Sequence, residues 1–422
     1  MDHSPKIEQA VEHLFRHEWG KLVTVLTKLF GPQNLQLSED VVQDTLLKAL
    51  HHWKINGLPD NPSAWLFTAA RNKAIDVLRK QQTAQQYSKD VTHLLQSEYT
   101  LSPTVNDLVN TKSIDDDQLS MMFVCCHPSL SAEAQVAVIL KTLCGFSVTE
   151  IAKAFISNYD AIEKRLYRAR QGLKENNVAF ELPLPAELDN RLNNVLKAIY
   201  LLFNEGYNST NHEDLIRKDL MQEAMRLCEI ICRSRLVNYS NAHALMALMC
   251  FTASRNDARL DETGNILLLK EQDRNKWNRE LISKAIDHLE ASAAGEKLSN
   301  YHIEAGIAFE HARAADYTDT NWKNILRYYN LLQSIHPSPV IELNRAIIIS
   351  ELHGPAEGIE AIHQIKDIGA LKKYYLLPAT LGELYKQLND TEKAIQYFKE
   401  ALALTQSASE KKLLQKKIEA IT

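Results

Sequence analysis

The 422-residue chain is too long for one ordinary core, and its 45% hydrophobic and 24% charged residues are typical of a globular protein with about two to four domains. A net charge of −5 excludes a generally basic nucleic-acid binder, so any DNA affinity has to come from cations placed on particular helices. No apolar run approaches the roughly 20 residues that span a bilayer, and no secretion signal is expected at the N-terminus. Six dispersed cysteines favour reduced thiols and a cytoplasmic protein.

Apolar residues recur at intervals of three and four along almost the whole chain, which predicts an all-α fold. The exception is residues 259–277, where a hairpin is possible with Asn265 near its turn and 266–269 as a strand. Its carboxylates match no standard calcium loop, so a solvated turn is favoured over a calcium or catalytic site.

The first predicted domain, residues 1–82, contains a helix that Ser38 is expected to cap and that reaches Trp53. Its predicted buried stripe consists of Val42, Leu46, Ala49, Leu50 and Trp53. The opposite side carries Glu39, Asp40, Gln43, Asp44 and Leu47.

A second helix is expected from Ser63, after the breaker sequence NGLPDNP. One face of this helix carries Trp65, Thr68, Asn72 and Arg79. An aromatic ring, an amide and a cation on one face can hold an unstacked base and its phosphate. Arg71, Lys73 and Lys80 widen the cationic surface, and the alternative for Trp65 is an ordinary core residue.

Residues 83–117 are polar and acidic and end in Asp115-Asp116-Asp117, which predicts a linker. The following Cys125-Cys126-His127, together with Cys144, could suggest zinc. Because adjacent residues rarely converge on one ion, buried thiols and no metal are predicted.

Residues 130–175, within a predicted domain 118–180, have the pattern of a helix-turn-helix. Ser147 and Glu150 form a capping box for the first helix, and Ser157 is expected to cap the second. The second helix is cationic, with Lys164, Arg165, Arg168, Arg170 and Lys174. A cationic helix that only faces solvent is the alternative.

These segments resemble bacterial sigma factors of the extracytoplasmic-function type. The sequence SEDVVQDTLLKA resembles the part of region two that grips the β′ clamp helices of RNA polymerase, and PSAWLFTAARNKAIDVLR resembles the part that melts and reads the −10 element. Residues 130–175 resemble region four, although the turn Phe155–Asn158 lacks the glycine that is common in the family. The resemblance implies that the acidic linker threads the nucleic-acid channel of the polymerase.

The resemblance also implies roles for single residues. The polymerase would be bound by Asp40, Gln43, Asp44 and Leu47. The −10 strand would be held by Trp65, Arg71, Asn72, Lys73, Arg79 and Lys80, with Asn72 at the pocket for a flipped base. The −35 element would be contacted by Lys164, Arg165, Arg168 and Arg170.

Beyond the sequence LPLP at residues 182–185, helices follow one another, and we divide them into a middle domain (186–298) and a repeat domain (299–422). Residues 378–409 have the spacing of a tetratricopeptide repeat, with Gly382 and Ala394 allowing close helix approach. Such repeats favour a protein or peptide partner. The arrangement resembles a sigma-factor subgroup with a large C-terminal extension.

The sequence thus predicts a transcription initiation factor that has no catalytic residues and no cofactor. Its expected partners are promoter DNA and core RNA polymerase, through the β′ and β subunits. No association with a membrane is expected. The extension is expected to regulate it and to have a separate core, removable after Glu181. The alternative is a helix-turn-helix regulator that works without polymerase.

Overall fold

The computed structural model describes residues 4–84, 111–155, 157–208, 216–234, 240–295, 297–405 and 407–421. These residues are mostly helical, and their extended pairing is limited to one isolated antiparallel bridge between Leu260 and Ile266. The predicted all-α class is confirmed. The described helices are each too short or too polar to span a bilayer. The chain forms two compact units, residues 1–206 with 218–234, and residues 207–217 with 235–422.

The first unit contains nine described helices: α1 (Ser4–Phe30), α2 (Leu35–Asn56), α3 (Pro62–Ala84), α4 (Thr111–Cys125), α5 (Ala132–Thr142), α6 (Val148–Ala154), α7 (Tyr159–Glu175), α8 (Pro185–Tyr207) and α9 (Lys218–Arg233). Helix α1 supplies the centre of the core, since Leu22 and Val23 are fully buried and α1 packs against α2, α3, α4 and α5. Helix α4 is buried on several sides at Met121, Met122 and Phe123.

Helices α8 and α9 belong to this first unit, although the sequence places them after the expected boundary at residue 186. The Asn194 amide donates a hydrogen bond of 2.6 Å to Gln135 Oε1 in α5. Arg226 in α9 donates to Gln118 Oε1 in α4 at 2.9 Å. The expectation that everything after Glu181 has a separate core is therefore wrong. The functional domain boundaries themselves stay predictions.

Most of the predicted acidic linker lies outside the described residues, which resume at Thr111. Asp115, Asp116 and Asp117, assigned to the linker, lie inside α4. Asp117 is mostly buried and forms an ion pair with Lys28 of α1 at 2.7 Å, so this acidic residue stabilises helix packing.

The second unit contains α10 (Ser240–Ala253), α11 (Arg279–Ser292), α12 (Asn300–Arg313), α13 (Trp322–Ile335), α14 (Pro339–His353), α15 (Pro355–His363), α16 (Leu376–Gln387), α17 (Thr391–Leu404) and α18 (Ala408–Glu419). Helices next to each other in the chain pack against each other. At the α16–α17 pair, Ala394 and Phe398 are buried, and a side chain at Gly382 would lie 2.7 Å from the Phe398 ring. The expected close approach of these two helices is thus present.

The 259–277 segment forms a tight turn with short 3₁₀ helices, and no strand runs over residues 266–269. Asp261 closes the turn by accepting hydrogen bonds from the backbone N–H groups of Thr263 and Asn265, at 2.9 and 2.8 Å. Glu271 and Asp273 likewise accept from nearby backbone N–H groups. These carboxylates therefore stabilise the local backbone, as the solvated-turn interpretation expects.

Candidate nucleic-acid interface

Helix α2 presents one acidic and partly apolar surface. Asp40, Gln43, Asp44 and Leu47 are all exposed, while Val42 and Ala49 on the other side are fully buried. The helix begins at Leu35, one turn earlier than expected, and Ser38 lies inside its first turn rather than capping it. All four residues assigned to polymerase binding are thus available to a partner.

The apolar part of this α2 surface extends further than the sequence predicted. Leu50, expected in the buried stripe, is 43% exposed and lies one turn from Leu47, which is 50% exposed. Ile55 at the end of the helix is 83% exposed. Leu47 and Leu50 thus form an exposed apolar patch of the kind that occurs at protein-binding surfaces, and only the burial of their neighbours reveals it.

The α3 residues assigned to the −10 strand differ in their surroundings. Asn72 and Lys73 are exposed and Arg71 is partly exposed. Trp65 is half-buried, with its ring 5.5 Å from that of Trp53 and 5.4 Å from that of His52. The core alternative therefore accounts for much of the Trp65 ring.

Lys73 connects α3 to the α2 surface through an ion pair with Asp44 at 2.8 Å. Both side chains are about half exposed, so the pair contributes little to stability and can be exchanged for other partners. The side chains of Arg79 and Lys80 lie outside the description, although the α3 backbone is helical there.

The expected pair of consecutive helices is present as α6, with 7 residues, and the longer α7, with 17. The capping box is present: Glu150 Oε2 accepts from Ser147 N at 2.7 Å, and Ser147 Oγ accepts from Glu150 N at 3.2 Å. Helix α7 is capped by Asn158, whose side chain accepts from Ala161 N at 2.8 Å, and not by Ser157. Asn158 itself is extended and not left-handed.

The cations of α7 separate into two groups. Lys164 and Arg168 are exposed on one face, with Tyr167 between them at 59% exposure. Tyr167 was not singled out from the sequence, although an aromatic ring between cations was the available signal. Arg165 is half-buried, with its guanidinium 5.2 Å from the centre of the Phe155 ring, so it helps to join α6 and α7.

Arg170 is only partly exposed and contacts α2. Its Nη2 lies 2.6 Å from Glu39 Oε2, and Glu39 is only 5% exposed. The Thr142 hydroxyl donates to the other Glu39 oxygen at 3.2 Å. Glu39 was expected on the exposed side of α2 and Arg170 beside the other DNA-binding cations; the structure instead pairs them with each other.

Further contacts join α1 to the α5–α7 segment. The Trp19 indole N–H donates to the Lys141 carbonyl at 3.1 Å, and Arg16 lies 3.4 Å from Glu150. A side chain at Gly20 would collide with the Leu143 carbonyl. The α2–α3 and α6–α7 surfaces thus belong to one compact unit. Between them lies a polar and partly buried seam, called here the α1/α5 seam, which consists of these contacts and the Glu39–Arg170 pair.

The cysteine cluster does not form a metal site among the described residues: Cys125, Cys126, His127 and Cys144 do not bring ligand atoms together. The three thiols are buried, and burial raises the pKa of each of them. Protonated buried thiols are packing groups, as the sequence predicted.

The family comparisons agree with this geometry. The model described as Sigma-70 region 2 matches residues 14–84, which include most of α1 and all of α2 and α3. A family of unknown function (DUF6596) matches residues 191–293. The uncharacterized protein R00370 of Rhizobium meliloti (strain 1021) is 34% identical over 380 residues, which cover 90% of this chain and 88% of that protein.

The region 2 match supports a sigma-70 family factor, a transcription initiation factor that acts with core RNA polymerase in promoter recognition and melting, without catalytic activity of its own. The chain belongs to the same family as R00370. A regulator that works without polymerase would leave the region-2 match unexplained.

Proposed function

We propose that this protein is a sigma-70 family factor of the extracytoplasmic-function type, with α6 and α7 reading the −35 element as a helix-turn-helix. The observation that carries the proposal is the exposed face of Lys164, Tyr167 and Arg168 on a capped helix pair, in a chain that also has region 2. Cations and an aromatic ring on the second helix suit a major groove and its phosphates.

For region two, we propose that the β′ clamp helices bind the α2 surface of Asp40, Gln43, Asp44 and Leu47. Its exposed carboxylates suit a basic partner, and Leu47 and Leu50 suit an apolar one. Asn72 would hold a flipped −10 base, with Arg71 and Lys73 beside it and Arg79 and Lys80 further along α3.

The α3 surface and the α6–α7 surface cannot reach the −10 and −35 elements at the same time while the α1/α5 seam is closed. Elements centred about 25 base pairs apart are separated by roughly 85 Å at 3.4 Å per base pair. A compact unit of about 220 residues has a diameter of only about 45 Å. We propose that the seam opens, with loss of the Glu39–Arg170 pair, when the factor binds polymerase.

For the extension, we propose a regulatory role through tetratricopeptide-like helix pairs that bind a protein or peptide. Its test needs a cut after Ser234, because a cut after Glu181 would also remove α8 and α9 from the first unit. Altered transcription by the folded 1–234 fragment is expected, and unchanged transcription would argue against regulation in cis.

Run-off transcription with core polymerase on a genomic fragment library tests the whole proposal. Discrete start sites that depend on this protein are expected, sharing upstream sequences near −10 and −35. Specific DNA binding without any polymerase-dependent start site would contradict it.

A further inference from the structure

The second unit contains a cavity of about 590 Å³, and none of the residues assigned to polymerase or DNA lines it. Its walls come from α14, α16 and α18, and the segment from Arg259 to Lys270 forms a further wall. Most of the lining is apolar and includes Ile266, Leu268, Leu376, Ala379 and Leu413. The volume is typical of pockets that enclose small organic molecules or the last few residues of a peptide.

The carboxylates that line this cavity already have hydrogen-bonding partners. Glu383 lies between Lys270, at 3.1 Å, and Lys417, and these two cations lower its pKa against the effect of burial, which alone would raise it. Glu410 accepts from the Tyr375 hydroxyl at 2.5 Å. Glu351 is hydrogen-bonded to Tyr317.

Arg259 differs from these groups because no carboxylate among the described residues pairs with it. The residue is only 9% exposed and lines the cavity. Its guanidinium carbon lies 3.6 Å from the centre of the Tyr207 ring, and its Nη1 donates to the Tyr207 carbonyl. The next cation, Arg255, donates to the Tyr207 hydroxyl at 2.5 Å and so adds positive charge.

The electrostatic surroundings of Arg259 are unfavourable for its charge. Burial and the neighbouring Arg255 lower its pKa, against the opposing effect of Tyr207. A buried guanidinium is normally compensated by a carboxylate or a phosphate, since its five donors are costly to leave without an anion. The ligand that suits this side of the cavity is therefore an anion.

We propose that the cavity binds a monocarboxylate with an apolar body, whose carboxylate pairs with Arg259. The apolar part packs on Leu268, Leu376 and Ala379. A single negative charge is favoured over a phosphate dianion because Glu351 and Glu410, which are hydrogen-bonded to tyrosines, line the same space and repel additional charge. The carboxylate can belong to a free carboxylic acid or to the C-terminus of a peptide.

Calorimetric titration of the full chain distinguishes these two sources. The probes are octanoate, octylammonium, and N-acetyl-leucyl-leucine with either a free or an amidated C-terminus. Saturable binding of octanoate alone identifies a free acid, and binding of the free peptide alone identifies a C-terminus; octylammonium and the amide are expected not to bind. No binding of either carboxylate up to about 10 mM, or equal binding of octylammonium, overturns the proposal.

Two variants locate the binding site. Arg259→Gln is expected to weaken carboxylate binding roughly 10- to 100-fold, the effect of losing a charge-assisted hydrogen bond. Ala379→Trp fills the cavity while keeping Arg259 and is expected to abolish binding. The control Lys386→Gln removes an exposed cation of the same helix and should bind as the natural chain does.

Circular dichroism and thermal unfolding establish that each variant is folded. If Arg259→Gln does not fold, Ala379→Trp alone decides, and unchanged binding by folded Ala379→Trp overturns the site. Binding is measured without polymerase or DNA. A negative result here therefore leaves the proposed promoter recognition intact, and failure of run-off transcription leaves this site intact.

Discussion

Helices α2 and α7 both carry many charged residues, but the structure uses these charges differently. On α2, the four residues assigned to a partner are all exposed and form one surface. On α7, only Lys164 and Arg168 are exposed among the four cations assigned to DNA, while Arg165 packs on Phe155 and Arg170 pairs with Glu39. The comparison shows that a packed unit leaves only part of the charge of a helix exposed, because its other charged side chains contact neighbouring elements.

The largest effect is expected from the α2 surface. Asp44→Arg combined with Gln43→Ala should abolish polymerase binding, because it reverses a charge at the centre of the surface and leaves the buried side untouched. A pull-down of core polymerase measures this. Asp60→Arg, an exposed acidic residue in the α2–α3 loop, is the matched control and should bind normally. Retention of polymerase by the double variant would refute the surface.

The next largest effect is expected from the exposed cations of α7. Lys164→Ala with Arg168→Ala should weaken −35-dependent transcription, by about 1–3 kcal/mol for each side chain that no longer reaches a base or phosphate. Lys174→Ala removes an exposed cation from the last turn of the same helix and should have a smaller effect. Run-off assays on promoters with and without a −35 element compare the variants. Equally weakened transcription from both promoters would speak against −35 readout.

Glu39 of α2 pairs with Arg170 of α7, so a substitution at Glu39 tests whether the α1/α5 seam opens. Glu39→Gln leaves Arg170 without its carboxylate, which should lower the unfolding free energy of the first unit by about 2 kcal/mol. If opening of the seam limits polymerase binding, the same change should increase the association rate. Denaturant unfolding and stopped-flow binding measure the two effects.

Gly20→Ala provides an independent comparison, since it should separate α1 from the Leu143 carbonyl without removing any charge. Faster polymerase association by both folded variants is expected. Slower association by both would indicate that the closed seam is the form that polymerase binds.

A smaller effect is the expected difference in stability between the Arg165→Ala and Arg168→Ala variants. Arg165→Ala should lower stability by about 1 kcal/mol, because its guanidinium no longer packs on the Phe155 ring. Arg168→Ala, at an exposed position, should change stability by less than about 0.5 kcal/mol. Thermal unfolding of both single variants gives the comparison. Equal stabilities would mean that Arg165 does not hold α6 to α7.

The smallest effect is a pH dependence at the seam. Burial alone would raise the pKa of Glu150, but Arg16 and the Ser147 N–H lower it below its ordinary value. Because the pKa of Glu150 is lower in the folded protein, ionised Glu150 contributes to the unfolding free energy. That contribution is complete above the ordinary glutamate pKa and is lost as the pH falls through the folded value. Glu150→Gln should remove the dependence, worth less than about 1 kcal/mol, in unfolding curves at successive pH values.

Local patterns in the sequence determined several features unaided. The Ser147–Glu150 capping box needs only residues three apart, and the exposure of Asp40, Gln43, Asp44 and Leu47 follows from helical periodicity. The close approach at Gly382 likewise follows from repeat spacing. Each of these depends on neighbours within one or two helical turns, which the sequence states directly.

The tertiary structure decided which side chains meet across long separations. Glu39 and Arg170 are 131 positions apart, and each on its own looks like an exposed charge on an amphipathic helix. Leu50 was expected inside because periodicity gives the side of a helix but not whether another element covers it. The same reason explains α8 and α9 joining the first unit and the buried Arg259. Periodicity predicts a face, and only the packed chain supplies its partner.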